Sequence, residues 1–362
     1  MNKPIYVTAP SLAPLEEYNQ ILTGVWERGI LTHNGPLVQQ FEKELITALQ
    51  LKNMVAVSNG TIAIQMAIKA LELKGEIITT PFTWIATVSA IQWEGCTPVF
   101  ADIDAGTLNI DPKKIEEKIT DKTCAILPVH VFGNPCDVEE IERIAKKHNL
   151  KVIYDAAHAV GSTYKNESLL NFGDISATSF HATKLLNTAE GGGVITADNE
   201  LHEKLKRIRF FGHDDSKWVI EEGFNGKMTE VHAALGLANL KYYHEVLDDR
   251  KNKYKYYCEQ LGKINSIGFQ EVKFGETNYS YLPVILESEN VLLKVESALN
   301  KNNVFPRRYF YPSVNQYKEI LLPSSLPISE DISRRILCLP LYYKLSFEEI
   351  DFVISILTAQ LI

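Results

Sequence analysis

Lysine, aspartate and histidine can each carry covalent or acid–base chemistry, and in this chain one of each falls where a strand runs into a turn. Lys184 lies in the stretch Ile175-Ser176-Ala177-Thr178-Ser179-Phe180-His181-Ala182-Thr183-Lys184, followed by Gly191-Gly192-Gly193 and a second β-branched run, Val194-Ile195-Thr196. That pattern predicts a buried strand-to-strand corner with the lysine in its turn. A lysine out of water has a lowered pKa and can form a Schiff base with a carbonyl compound, whereas a surface lysine on a hairpin would do neither. Lys151-Val152-Ile153-Tyr154-Asp155 ends on an acid, and the carboxyl end of a central parallel strand opens onto the crevice where α/β folds bind ligands. The same aspartate could instead cap the helix that follows. His158 lies three residues on, on the same face of the turn, as a ligand-facing or a structural histidine.

Two further stretches offer binding chemistry. Val55-Ala56-Val57 leads into Ser58-Asn59-Gly60-Thr61 and then a helical apolar pattern from Ile62 to Leu71. A polar turn there presents unpaired N–H groups and the positive end of a helix dipole, a site for phosphate, unless Asn59 or Thr61 is no more than a cap. Trp84 follows the strand Ile77–Pro81, where its ring could stack on a planar ligand or pack in the core.

The elements that must hold these residues alternate. Helices are expected over Pro14–Arg28, Leu37–Gln50, Ile85–Glu94, Pro112–Ile119, Val138–His148 and Asn199–Arg209. Strands are expected over Thr97–Ile103 and Cys124–Phe132 besides those already named. Such alternation implies βαβ units and a parallel sheet covered on both faces. No G-x-G-x-x-G follows a strand, which argues against a dinucleotide-binding enzyme. From about Tyr242 the pattern changes to a smaller α+β part: a long helix, a Tyr281–Leu286 strand, a helix to Asn300 and a final helix over Ser346–Leu357.

Composition narrows the partners. The 362 residues carry a net charge of −8, and the one dense basic stretch is the helix face from Lys204 to Arg209, so nucleic-acid binding is not expected. No basic-then-apolar leader and no membrane-length apolar run stands out, so the chain is expected to stay in the cytoplasm. Five scattered cysteines without a C-x-x-C pair indicate neither a disulfide framework nor a metal site.

The pattern S-F-H-x-x-K followed by T-x-E-G-G resembles the cofactor-lysine segment of the DegT/DnrJ/EryC1/StrS family of sugar aminotransferases. Asp155-Ala156-Ala157-His158-Ala159 and the run Gly223-Phe224-Asn225-Gly226-Lys227-Met228-Thr229-Glu230-Val231-His232-Ala233-Ala234-Leu235-Gly236 are similar to two more of its segments. The resemblance implies a fold-type-I (aspartate-aminotransferase type) α/β protein with a large, mostly parallel sheet. It implies a large domain over 31–240 and a smaller α+β domain from 1–30 and 241–362. Lys184 would carry pyridoxal 5'-phosphate, with pyridoxamine phosphate between the half-reactions. Asp155 would face the ring nitrogen, His158 the 3-hydroxyl, Trp84 the ring, and Asn59, Gly60, Thr61 and Ser179 the phosphate. Asn225 would reach the phosphate of a neighbouring subunit, implying a homodimer with shared sites; otherwise Asn225-Gly226 is a turn before a helix capped by Thr229.

On the substrate side the resemblance implies Thr32, His181, Tyr309 and Tyr311. Thr32 sits in Ile30-Leu31-Thr32-His33-Asn34-Gly35-Pro36, similar to the family's T-x-G-P loop but with one extra residue. Tyr309 and Tyr311 sit in Arg307-Arg308-Tyr309-Phe310-Tyr311-Pro312, similar to its R-x-x-x-x-P loop. Phe210-Phe211-Gly212-His213 departs from the expected Arg-x-His-Gly, so His213 receives no role. The implied reaction moves an amino group from glutamate to a nucleotide-linked 4-keto-6-deoxyhexose, with dTDP as carrier, for O-antigen or other polysaccharide synthesis. A 3-keto sugar, or a UDP or GDP carrier, is the alternative. A related sugar dehydratase carries histidine at the lysine position, so Lys184 argues against it. A non-catalytic sugar-nucleotide-binding protein would need no such lysine.

Overall fold

The computed structural model describes residues 3–322 and 324–361. Its centre is a seven-stranded sheet whose strands, in spatial order, are Asn53–Val57, Gly192–Thr196, Ile175–Ser179, Lys151–Asp155, Thr123–Leu127, Glu76–Thr79 and Thr97–Phe100. All run parallel except Gly192–Thr196, which is antiparallel to both neighbours. The strands are apolar along their length because both faces are covered: Val55, Ile77, Ile126, Ile153 and Val194 are all fully buried. Helices Gly60–Ala70, Ile85–Trp93 and Asn199–Ile208 pack on one face, and Pro36–Leu49, Val138–His148 and Glu230–Leu240 on the other.

Two expected strands stop early. The run from Cys124 yields a continuous strand only over Thr123–Leu127; beyond it a single bridge from Val129 to Asp155 remains before the chain turns at Val131–Gly133 with Phe132 at φ 58°. The run from Thr97 ends at Phe100, and Asp102 just beyond it turns its buried carboxylate to another task. Its oxygens accept from the N–H groups of Ile328 and Ser329, both at 2.9 Å, at the start of helix Pro327–Arg335.

The carboxyl-terminal part is a three-stranded antiparallel sheet of Gly268–Phe269, Leu282–Ile285 and Ile336–Leu339, covered by Tyr243–Leu261, Glu289–Lys301 and Phe347–Thr358. The amino-terminal stretch from residue 5 to residue 28 touches both parts. Ile5–Tyr6 pairs in parallel with Val304–Phe305, whereas helix Leu15–Arg28 lies on Glu230–Leu240 and buries Val25 in the core beneath the large sheet.

Candidate active site

The carboxyl ends of the parallel strands open onto a cavity of about 790 Å³. Its floor is the turn after Asn53–Val57. Asn59 is extended there, and its Oδ1 accepts from the Ile62 N–H at 2.9 Å, so its side chain caps helix Gly60–Ala70 and the N–H groups of Gly60 and Thr61 are left to the cavity. Ser179 packs on this turn so closely that a Cβ on Gly60 would lie 2.9 Å from the serine Cβ. The glycine cluster after the lysine is explained by the same crowding: a Cβ on Gly192 would lie 2.5 Å from the Asn59 carbonyl. A helix N-terminus with two free N–H groups and a hydroxyl beside it is a cradle for a phosphate.

Asp155 lies deeper, at the end of its strand, and is buried. Burial pushes its carboxyl pKa up, opposed by hydrogen bonds from Thr87 and Ala157 and by the charge of Lys184. The Thr87 hydroxyl donates to Oδ2 at 2.7 Å, the Ala157 N–H donates to Oδ1 at 3.1 Å, and Thr83 shares a hydrogen bond of 2.8 Å with Thr87. Lys184 occupies the loop between two antiparallel strands, pinned by Phe180 N–H to Gly191 O at 2.8 Å and Ala182 N–H to Ala189 O at 2.7 Å. Burial lowers its pKa to about 8; the Asp155 charge pulls it back up and the Arg307 charge adds to the fall. An amine in that range exchanges protons near neutrality.

His158 is neutral, its pKa held well below the usual value by burial and by the Lys184 charge. Its Nδ1 accepts from the Phe132 N–H at 3.3 Å, which leaves the ring proton on Nε2, and the ring lies parallel to Phe132 and Phe310. His181 accepts through Nδ1 from the Thr183 N–H at 3.3 Å, and its Nε2 is 3.7 Å from Glu190.

Of the residues singled out from sequence, the cavity brings together Asn59, Gly60, Thr61, Trp84 and Asp155. It also holds His158, Ser179, His181, Lys184 and Tyr309. Trp84 is 52% exposed, so it is not a core residue. Thr32, Asn225 and Tyr311 do not line it. Tyr311 instead lies over the Arg308 guanidinium, which is tied to Glu289 at 2.6 Å and to the Arg334 carbonyl at 2.9 Å. Asn225 is on the surface, accepting from Lys227 at 2.5 Å. The Thr32 loop is held at its neighbours, where the Glu230 N–H donates to Leu31 O at 3.0 Å.

Sequence reasoning missed Thr83, Thr87, Tyr281 and Arg307. The two threonines were detectable as polar residues four apart at the start of an otherwise apolar helix. Arg307 stood in a motif from which only the tyrosines were taken.

A phosphate cradle, an accessible indole, a buried acid and a desolvated amine around one cavity fit pyridoxal phosphate group by group. Together with the six-parallel, one-antiparallel sheet they define a fold-type-I pyridoxal phosphate enzyme. A model of the DegT/DnrJ/EryC1/StrS aminotransferase family matches residues 14–358, and the chain belongs to that family. It is 42% identical over 362 residues to dTDP-4-amino-4,6-dideoxy-D-glucose transaminase of Shigella dysenteriae, covering 98% of each chain. Among solved structures, DesI in the presence of its TDP-sugar product aligns with a TM-score of 0.94 at 31% identity, over 99% of this chain and 93% of that one. NtdA of Bacillus subtilis with bound pyridoxamine phosphate aligns at 0.90 and 31%, over 96% and 82%. The protein is therefore a pyridoxal phosphate-dependent sugar aminotransferase.

Proposed function

We propose that this enzyme transfers the amino group of glutamate to the 4-keto carbon of dTDP-4-keto-6-deoxyglucose, supplying an aminosugar for O-antigen or another polysaccharide in the cytoplasm. The observation that carries the aminotransferase chemistry is Lys184, with its pKa near 8, sharing a cavity with Asp155 above the Gly60–Thr61 cradle. The choice of sugar is supported by the 42% identity to the Shigella transaminase, whose name states a 4-amino-4,6-dideoxyglucose.

Pyridoxal phosphate, when bound, supplies the aldehyde that takes up the amino group and a ring that withdraws electrons from the reacting carbon. The Gly60 and Thr61 N–H groups and the Ser179 hydroxyl would hold its phosphate. Asp155 would face the ring nitrogen and keep it protonated, and the Thr87 hydroxyl and Ala157 N–H hold the carboxylate in place and oppose the upward pull of burial on its pKa. His158, with its proton on Nε2, would offer it to the ring oxygen. With the cofactor bound, the Lys184 amine would serve as the acid–base group of the cavity, taking up and returning the proton at the donor α-carbon and at the sugar carbon that is aminated, a contribution worth roughly 10²–10⁴-fold.

The active form is a homodimer in which Asn225, and the Thr32 loop with it, serve the neighbouring subunit's site. Their position outside their own chain's cavity supports this. Incubation with glutamate and dTDP-4-keto-6-deoxyglucose should place nitrogen on C4 by NMR; nitrogen on C3, or none, overturns the substrate assignment. Mixing Lys184→Ala and Asn225→Ala chains should restore activity through the one site that combines both intact residues. No recovery in mixed dimers would show that Asn225 does not act across the interface.

A further inference from the structure

The geometry points to Arg307 as a single anion seat that both substrates use in turn, taking the distal carboxylate of the amino donor and then the first phosphate of the sugar nucleotide. The inference rests on the proposed two-substrate reaction and adds the group that recognises the charge on each substrate. Arg307 lines the cavity from the carboxyl-terminal part of the chain. Its backbone is fixed on both sides, its N–H donating to Cys338 O at 3.1 Å and its carbonyl accepting from Cys338 N–H at 2.8 Å. The guanidinium lies over two aromatic faces, 4.4 Å from the Tyr309 centroid and 5.5 Å from that of Trp84. Stacking of this kind holds the plane while the N–H donors at its edge remain available.

Nothing among the described residues takes up those donors. Among the described residues, Arg307 is the arginine whose guanidinium has neither a carboxylate within salt-bridge distance nor a hydrogen-bond acceptor. The adjacent Arg308 pairs with Glu289, and the buried Arg250 donates to Ser280 O and Leu341 O. Lys227, the other cation beside Lys184 in the cavity, is already turned to Asn225 at 2.5 Å and lies over Phe210 and Phe211. The Arg307 charge also reaches the reacting end of the cavity, where it is felt at Lys184.

The two substrates can share such a seat because each must bring its reacting carbon to Lys184 through the same cavity. In an extended glutamate the distal carboxylate lies roughly 5 Å from the α-carbon, by ordinary bond lengths. In a nucleotide-linked hexose the first phosphate lies across the ring from C4, again roughly 5 Å away. One planar fork of donors in the shared cavity can serve both groups, since guanidinium recognises carboxylate and phosphate alike. A dicarboxylate donor then resembles the sugar nucleotide in charge position, which an amino acid with an apolar side chain cannot do.

The test uses Arg307→Gln and Arg307→Lys in the cofactor-loaded enzyme, with glutarate and dTDP as binding probes read by calorimetry. Arg307→Gln should weaken both probes on the order of tenfold or more, and Arg307→Lys, which keeps the charge but not the fork, should weaken them less. In single-turnover absorbance measurements, the ratio of the rate with glutamate to the rate with norvaline should fall toward one, a comparison from which any change at Lys184 itself cancels. Loss of glutarate binding alone overturns the sugar arm, loss of dTDP binding alone overturns the donor arm, and loss of neither overturns the seat. If Arg307→Gln fails to fold, undiminished binding of both probes by Arg307→Lys still counts against the guanidinium fork. A wild-type enzyme that binds both probes yet aminates no 4-keto sugar would sink the proposed reaction and leave the seat standing.

Discussion

Replacing Lys184 with methionine should make the cofactor-free protein more stable, although it abolishes catalysis. The ammonium of Lys184 is half-buried at the strand corner, and its partial desolvation takes its pKa from 10.5 down to about 8. A folded-state pKa below the unfolded one means that the unfolded chain holds its proton more firmly. At pH 7 the lysine is charged in both states, and the folded state carries the whole penalty, about 3 kcal/mol for that gap. As pH rises from about 8 toward 10.5 the folded protein gives up the proton first, so wild-type stability climbs through that window and the penalty disappears above it. Attraction to Asp155 is already contained in the figure, because it is one of the causes that set the value. Methionine has a similar length and no charge to desolvate. Urea denaturation of the two apoproteins at pH 7 and above pH 10.5 should show Lys184→Met ahead by about 3 kcal/mol at the first and level at the second. A variant no more stable than wild type at pH 7, or a gap that persists undiminished at high pH, would refute the claim that desolvation governs this amine.

Thr87→Val keeps the shape of the side chain and removes the hydroxyl that donates to Asp155 at 2.7 Å. With one restraint gone, burial carries the carboxyl pKa higher, so the acidic limb of the kcat–pH profile should move upward and kcat fall about tenfold with KM little changed. Gly60→Ala sets a methyl 2.9 Å from the Ser179 Cβ and spreads the phosphate cradle; equilibrium dialysis should show weaker retention of pyridoxal phosphate while the thermal transition of the apoprotein moves little. Asp102→Ala strips the start of helix Pro327–Arg335 of acceptors for Ile328 and Ser329, and should cost roughly 2–4 kcal/mol by denaturant titration.

The large sheet was legible because its strands are buried on both faces and read as short apolar runs between helical periods. Lys184 and Asp155 were legible for a related reason: each is a charged residue that ends or interrupts such a run. The strand Ile336–Leu339 was not, since four apolar residues before Pro340 have no periodicity of their own and their partner, Leu282–Ile285, lies some fifty residues earlier. Sequence could place Asn59 at the phosphate turn but could not decide whether its side chain met a ligand or its own helix. That choice depends on the extended backbone at 59, which aims Oδ1 at the Ile62 N–H. In the Arg307–Pro312 loop, type alone favoured the tyrosines. Which side chain faces inward is set by the pairing of Arg307 with Cys338, and by Arg308 holding Tyr311 elsewhere.

The single antiparallel strand accounts for why chemistry gathers at Lys184. A parallel connection after Ile175–Ser179 would need a crossover long enough to carry the chain back to the opposite end of the sheet, usually a helix. Because Gly192–Thr196 instead runs back beside it, the chain between Phe180 and Gly191 never leaves the carboxyl ends of the parallel strands. The lysine therefore hangs over the same edge on which Asp155 terminates, one strand away, with Ala177 as the register partner of Asp155. The return strand must also slide past the Asn59–Gly60 turn, which requires glycine at 192 and sets the phosphate cradle beside the corner. Acid, amine and cradle are thus brought to one edge by a single reversal of chain direction. Inserting a few residues between Thr188 and Gly191 should remove cofactor binding while leaving the sheet intact, measured as loss of the cofactor's visible absorbance with unchanged far-ultraviolet circular dichroism.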